Sequence, residues 1–229
     1  NLGEINKNFF SIVSPWTKQW VAIQSEIAAS KCPENKVLGF FDSKDYLSNN
    51  FRRVFEEKYG VSQSFKIEDL GEPAQQNISD LNCLFLAVNF SKAQTPLAKI
   101  AKIHSKLNIF GIGDWNYYAN ELKLLLKTTA SPWAVSVPTG WVPSVTPAST
   151  KFASRFLKAA KESASPVAAY TYDATIVALY SLCNQIEPSK IKSAGLKKIN
   201  LLRDYDGLSD TNNFSSPMQI VKFKGDTQL

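Results

Sequence analysis

The 229 residues are 44% hydrophobic with a formal net charge of +6, enough apolar material for one large domain or two small ones. The longest apolar stretches fall well short of the roughly 18 residues that a membrane-spanning helix needs, so no membrane span is expected. The positive charge is spread among acidic neighbours, from Lys99, Lys102 and Lys106 to Lys197 and Lys198. That is the pattern of solvated helix faces; a nucleic-acid partner would call for a basic stripe interleaved with exposed aromatics, and none is expected.

The chain opens Asn1-Leu2-Gly3-Glu4 without a basic region followed by an apolar one, so no signal peptide is expected in this chain. Ser14-Pro15 offers a hydroxyl N-cap and a first-turn proline, and Trp16, Trp20, Ile23 and Ile27 then recur on one helical face until Cys32-Pro33. A strand is predicted at Lys36–Phe41. A helix follows from about Asp45 to Tyr59, presenting Leu47, Phe51, Val54 and Phe55, with Gly60 as its stop.

Val61–Ile67 alternates enough for a strand, and Gly71-Glu72-Pro73 breaks the chain before a second apolar run at Cys83–Val88. Thr95-Pro96 repeats the hydroxyl–proline start, with Leu97, Ile100, Ala101 and His104 on one side. A strand at Ile109–Ile112 and a helix near Tyr117–Lys127 come next. Apolar runs without polar alternation suit strands buried on both faces, and helices between them predict right-handed parallel crossovers.

After Thr128 the character changes. Trp133–Val137 reads as one more strand, and Pro132, Pro138, Pro143 and Pro147 frame a loop. Two helices follow, Ser149–Glu162 and Pro166–Gln185; the second is apolar on nearly every face, as a helix buried between layers would be. A turn at Tyr205-Asp206-Gly207-Leu208, a strand at Met218–Phe223 and a turn at Gly225-Asp226 close the chain. The fold class is α/β, a mostly parallel doubly wound sheet with flanking helices.

Open sheets of this kind place ligands beyond the carboxyl ends of their strands. Three buried runs end there in polar or aromatic tips, at Asp42, at Asn89 and at Asp114-Trp115. Carboxylates at strand tips suit general acid–base work or Mg²⁺, but no further acidic cluster has a recognisable spacing, which favours ligand binding or helix capping over catalysis. Tyr46, Phe90, Trp115 and Trp141 sit at or beside strand ends or in the proline-rich loop, where they read either as walls of a cleft or as ordinary packing. The single histidine, His104, lies in the helical stretch Lys-Ile-His-Ser-Lys and reads as a surface or satisfied residue, and no Ser or Cys nucleophile has an evident local partner. No GxxxxGK[ST] or GxGxxG loop occurs, so no catalytic residue, metal or cofactor is expected.

Three cysteines, Cys32, Cys83 and Cys183, lack CxxC or metal-ligand spacing. Two readings stay open: buried free thiols, the simpler one, or one disulfide plus a free thiol with no pair selected.

Lys36–Gly60, with its apolar strand, aspartates, tyrosine and glycine-ended helix, resembles the unit that opens the C-terminal lobe of type I periplasmic solute-binding proteins, the branch that takes branched-chain amino acids and related solutes. Leu47 stands where that family has glycine after the tyrosine. Phe9-Phe10-Ser11-Ile12-Val13-Ser14-Pro15 is similar to the crossover into that lobe. Phe152–Leu182 resembles the family's Phe-containing helix, short gap and Ala-x-x-Tyr-Asp-Ala helix. Tyr205-Asp206-Gly207-Leu208-Ser209 and Met218–Asp226 match its C-terminal turn and final strand.

The resemblance implies residues 1–138 as a Rossmann-like C-terminal-lobe-type domain, and 139–229 as a helical segment with a terminal strand, normally shared between two lobes. The family's first third has no counterpart, which implies a fragment, a single-lobe relative or a chain without its front portion. By the same resemblance the protein is no enzyme. It is expected to bind a small polar solute, an amino acid or related molecule, in an inter-lobe cleft for transport or sensing in the periplasm or outside the cell, with an ABC permease as partner.

Asp42, Tyr46, Asn89, Phe90, Asp114, Trp115 and Trp141 match the pocket side, and Asp114 lies near the family's acidic ammonium acceptor. The alternative is a regulatory or interaction protein on the same fold, such as a lipoprotein activator of cell-wall synthesis or a receptor sensor domain.

Overall fold

A computed structural model of the chain describes residues 15–70, 83–101, 106–130, 132–144, 146–187, 190–191, 199, 201–203, 205 and 216–224. Outside these lie several sequence expectations: the crossover before Pro15, the break at Gly71-Glu72-Pro73, His104, the turn after Tyr205 and the turn at Gly225-Asp226. The chain divides into two compact units, Gln19–Pro138 with Ile220–Leu229, and Asn1–Lys18 with Thr139–Gln219.

The first unit is built on a sheet. Its strands are β1 (Val37–Phe41), β2 (Ser64–Lys66), β3 (Cys83–Ala87), β4 (Asn108–Gly111), β5 (Ala134–Thr139) and β6 (Gln219–Lys224), in spatial order β2-β1-β3-β4-β5-β6. The four pairings from β2 to β5 are parallel. The chain leaves β1 sideways to β2, then returns to the other side of β1 and builds outward through β3, β4 and β5. With right-handed crossovers this reversal puts intervening helices on opposite faces. It also makes the carboxyl ends of β1 and β3 the topological switch point, where an open sheet forms a crevice.

Helix α1 (Trp16–Ala29) runs before β1, α2 (Tyr46–Tyr59) joins β1 to β2, α3 (Phe90–Ile100) joins β3 to β4, and α4 (Ala119–Thr128) precedes β5. Of the expected stripe of α1, Trp20, Ile23 and Ile27 are buried and Trp16 is half-buried. The core under it is aromatic, with the Phe85 ring 5.3 Å from Trp20, 5.9 Å from Phe41, 5.8 Å from Phe51 and 5.9 Å from Phe55. Gly60 ends α2 as anticipated, with φ of 95° and its N–H donating to the Glu56 carbonyl.

Two local expectations are corrected. Thr95-Pro96 does not start a helix: α3 begins at Phe90 under an Asn89 N-cap, and Pro96 lies inside it. Asn89 Oδ1 accepts from the Ser91 N–H at 3.0 Å and so satisfies an end donor six residues earlier than the proline signal suggests. Val61–Ile67 is a strand only at Ser64–Lys66, with short 3₁₀ turns on either side.

Cys32 and Cys83 form a disulfide and Cys183 is a free, exposed thiol, so the reading of one disulfide plus a free thiol holds and that of three buried thiols is corrected.

The second unit carries α5 (Pro147–Ala160) and α6 (Pro166–Cys183). Thr146 and Ser149 cap α5 reciprocally, at 3.0 and 2.9 Å. Along α6, Ala169, Asp173, Val177 and Ser181 are buried, whereas Val167, Leu179 and Leu182 are exposed. The expectation of a helix buried all round is therefore met on one side only.

The core here is polar at its centre. Asp173, fully buried, takes Leu202 N–H at 2.7 Å, Tyr205 O–H at 2.8 Å and Arg203 Nε at 3.3 Å. Arg203 donates further to Ser216 Oγ at 3.2 Å and to the Tyr205 hydroxyl, and its guanidinium sits 4.3 Å from the Tyr170 ring centroid. Such a buried charge pair persists only when every donor and lone pair is used. Among the described residues no helix is long and apolar enough to cross a membrane.

Candidate functional site

The carboxyl ends of β1, β3 and β4 bring Asp42, Asn89 and Asp114 to one edge of the sheet, the edge at which open sheets with a reversal of strand order bind their ligands. Each is fixed by the backbone that follows it. Asp42 is buried. Its N–H donates to Ser48 Oγ at 2.8 Å, and its Oδ1 accepts from the Lys44 N–H at 2.9 Å. Asp45 caps α2 through Ser48 N–H at 2.6 Å. The second Asp42 oxygen pairs with Lys92, a residue of the first turn of α3 whose side chain is half exposed. The Lys92 ammonium, then the Lys44 N–H, hold the Asp42 carboxyl below the usual carboxylate range.

Asn89 does two jobs at the end of β3. Its Oδ1 caps α3, taking Ser91 N–H at 3.0 Å and Ser91 Oγ at 2.7 Å, and its Nδ2 donates to Asp114 Oδ2 at 2.6 Å. The other Asp114 oxygen is buried and has no hydrogen-bond partner. Burial pushes the Asp114 carboxyl up to about 7, and the nearby Asp45 charge adds to the rise, while the backbone N–H groups of Phe90, Asp114 and Trp115 oppose it. A carboxyl that is only partly ionised at neutral pH and has one unsatisfied buried oxygen is suited to accept, in its charged form, from a donor carrying positive charge.

The aromatic residues fall into different places. Phe90 and Trp115 are 1% and 0% exposed and pack edge to face, centroids 5.4 Å apart. Trp115 Nε1 donates to the Val88 carbonyl at 2.8 Å, which ties the turn after β4 to the end of β3. The indole lies so close over Gly111 that a Cβ there would meet it at 2.5 Å, so only glycine fits that strand position. Phe90 and Trp115 are therefore core packing residues, each next in the chain to a polar tip, Asn89 or Asp114. Tyr46, 82% exposed, is the first residue of α2. Trp141 belongs to the other unit, buried with Ala169 and Leu202 and edge-on to Phe152.

No protein-family model matches the chain, and no curated protein matches it. Solved structures do. A branched chain amino acid ABC transporter periplasmic ligand-binding protein from Burkholderia xenovorans aligns with a TM-score of 0.68 at 13% identity, over 96% of this chain and 61% of its own. The fold is that of the type I periplasmic solute-binding proteins.

An ABC transporter substrate-binding protein from Desulfitobacterium hafniense gives a TM-score of 0.65 at 14% identity, over 94% of this chain and 64% of that one. A leucine binding protein from Thermotoga maritima gives 0.60 at 11%, over 91% and 62%. The chain thus spans somewhat less than two thirds of the length of these type I proteins.

Sequence patterning singles out neither Lys92 nor Arg203, and Asp173 enters it only as the aspartate of the Tyr-Asp-Ala motif. Lys92 carries one usable signal, its position in the first turn of the helix that leaves a strand tip, one strand over from Asp42. Asp173 carries another, as the lone acid in the otherwise uncharged α6.

Proposed function

We propose that the chain is an extracytoplasmic solute-binding protein, or a derivative of one, that takes a small polar solute bearing a positively charged amine, an amino acid or related molecule, at the strand ends of β1, β3 and β4. The observation that carries this is Asp114: a largely desolvated carboxyl with one unpartnered oxygen, at the edge where the type I fold has its crevice. Asn89 orients it, Asp42 and Lys92 supply a second polar pair, and Phe90 and Trp115 pack against each other in the core. Tyr46 stands at the rim. The activity is binding, without chemistry, within an inter-lobe cleft, and an ABC permease is the partner for transport. A periplasmic or extracellular location is supported by the Cys32–Cys83 bridge, since such bonds persist in oxidising compartments.

The test is a thermal-shift and calorimetric screen of the chain against amino acids, amides, short peptides and sugars. A primary-amine solute is expected to raise the melting temperature of the wild type and to lose at least tenfold in affinity in Asp114→Asn. No response to any amine, or an equal response in the variant, overturns the assignment. A regulatory interaction protein on the same fold is the second reading. It is favoured by the way Asn89 is already engaged in capping α3 and Asp42 in pairing with Lys92; it predicts a wholly silent screen.

A further inference from the structure

The second unit holds a cavity of about 360 Å³ lined by Pro147, Ala148, Lys151, Phe152 and Arg155 of α5, Tyr172 of α6 and Leu202. We propose that it is a separate binding site for a small aromatic oxyanion, a molecule that joins a carboxylate or phosphate group to a flat apolar body. The reading is independent of the strand-end site: it lies in the other unit and uses none of the same residues.

Volume comes first, because sites for small organic ligands begin at around 300 Å³. Charge comes next. Lys151 and Arg155 lie one helical turn apart, so their side chains flank the same stretch of the cavity wall. Both are exposed, no carboxylate is among the lining residues, and neither cation has an ion-pair partner among the described residues. The first turn of α5 is free of acidic residues too, and Pro147 and Ala148 bring the positive end of that helix to the same wall. A lysine ammonium and an arginine fork side by side match a carboxylate or phosphate better than any neutral group.

The rest of the lining is apolar and aromatic. Phe152 and Tyr172 lie 5.1 Å apart, inclined at 52°, and Phe152 is buttressed by Trp141 at 6.3 Å and Phe156 at 5.8 Å. A flat ring can stack against these faces while its anionic group reaches the cations. The walls are also preformed. Thr146 Oγ1 donates to the Leu202 carbonyl at 3.2 Å, and Leu202 N–H donates to Asp173, the neighbour of Tyr172, at 2.7 Å. Three segments that line the cavity are thereby hydrogen-bonded into one frame, and little ordering remains to be done on binding.

Calorimetry on the full chain with indole-3-acetate and with phenyl phosphate tests the site and separates the two oxyanion sources. One or both are expected to bind with Kd below about 1 mM. The neutral analogues indole-3-acetamide and benzyl alcohol are expected to bind at least tenfold more weakly. Lys151→Ala/Arg155→Ala, two exposed positions, is expected to lower the anion's affinity by about tenfold with the circular dichroism spectrum unchanged. Ala148→Trp, which fills the cavity and keeps both charges, is expected to abolish binding. Absence of saturable binding by both anions, equal binding of the neutral analogues, or undiminished affinity in the double variant overturns the proposal.

Discussion

Asp114 and Asp42 are the same residue type at neighbouring strand ends, and their surroundings drive them in opposite directions. Lys92 and the Lys44 N–H favour the charged form of Asp42, so its folded pKa lies below the unfolded value of about 3.9. The stability it contributes is present above that value and is lost as pH falls through the folded pKa. Asp114, desolvated and lacking a partner on Oδ1, has its pKa raised to about 7. Its folded form therefore binds the proton more tightly than the unfolded chain does. Stability contributed by Asp114 is complete below about pH 4 and declines as pH rises toward 7 and past it. At about 1.4 kcal/mol per unit, keeping the carboxylate charged costs at most about 4 kcal/mol. Asp114→Asn is expected to remove this slope: urea unfolding will find it close to wild type at pH 4 and more stable at pH 8. Equal pH profiles for the two proteins would show that Asp114 titrates normally. Solute binding has the inverse dependence, since an amine prefers the charged carboxylate and gains affinity as pH rises through about 7.

The elements that present these residues rest on the packing beneath them. Phe85 of β3 is fully buried among Trp20 of α1, Phe41 of β1, and Phe51 and Phe55 of α2, so one side chain joins two helices to the two strands at the switch point. Phe85→Ala is expected to cost about 3–5 kcal/mol in denaturant unfolding; a loss under 1 kcal/mol would mean that the neighbouring rings refill the space. The apolar runs that become β1, β3 and β4 are legible in the sequence because strands covered on both faces tolerate no polar alternation, and the stripe Trp20, Ile23, Ile27 is legible because α1 has one buried side. Helix starts are less so. Thr95-Pro96 and Asn89-Phe90-Ser91 are both acceptable local starts, and the choice falls to Asn89 because the strand must end there. Aromatic identity is ambiguous for a similar reason. Phe90, Trp115 and Trp141 have the size to wall a ligand, but the same area fills a core, and nothing in their spacing says which face they turn to. Lys92 escapes notice because a long flexible chain reaches across to the next strand end, a direction that helical periodicity does not encode.

At the scale of the whole molecule the two units are stabilised by different means. The second is organised round the buried Asp173–Arg203 pair, whose hydrogen bonds tie α6 to Tyr205 and Ser216. The first combines a six-stranded sheet with the Cys32–Cys83 bridge, which joins the segment after α1 to the start of β3 across 51 residues. Cysteine spacing alone left this pair unselected, because the bridge depends on the end of α1 coming to rest beside β3, a matter of tertiary packing. In the chain-entropy account, closing a loop of that length removes enough freedom from the unfolded state to stabilise the fold by about 4 kcal/mol. Cys32→Ala/Cys83→Ala is therefore expected to lose about that much in denaturant unfolding, and the wild type unfolded in the presence of a reductant is expected to lose a similar amount. The reductant must leave the double variant unchanged, since the remaining thiol, Cys183, is exposed and outside the bridge. A double variant as stable as the oxidised wild type would remove the bridge from the account of stability.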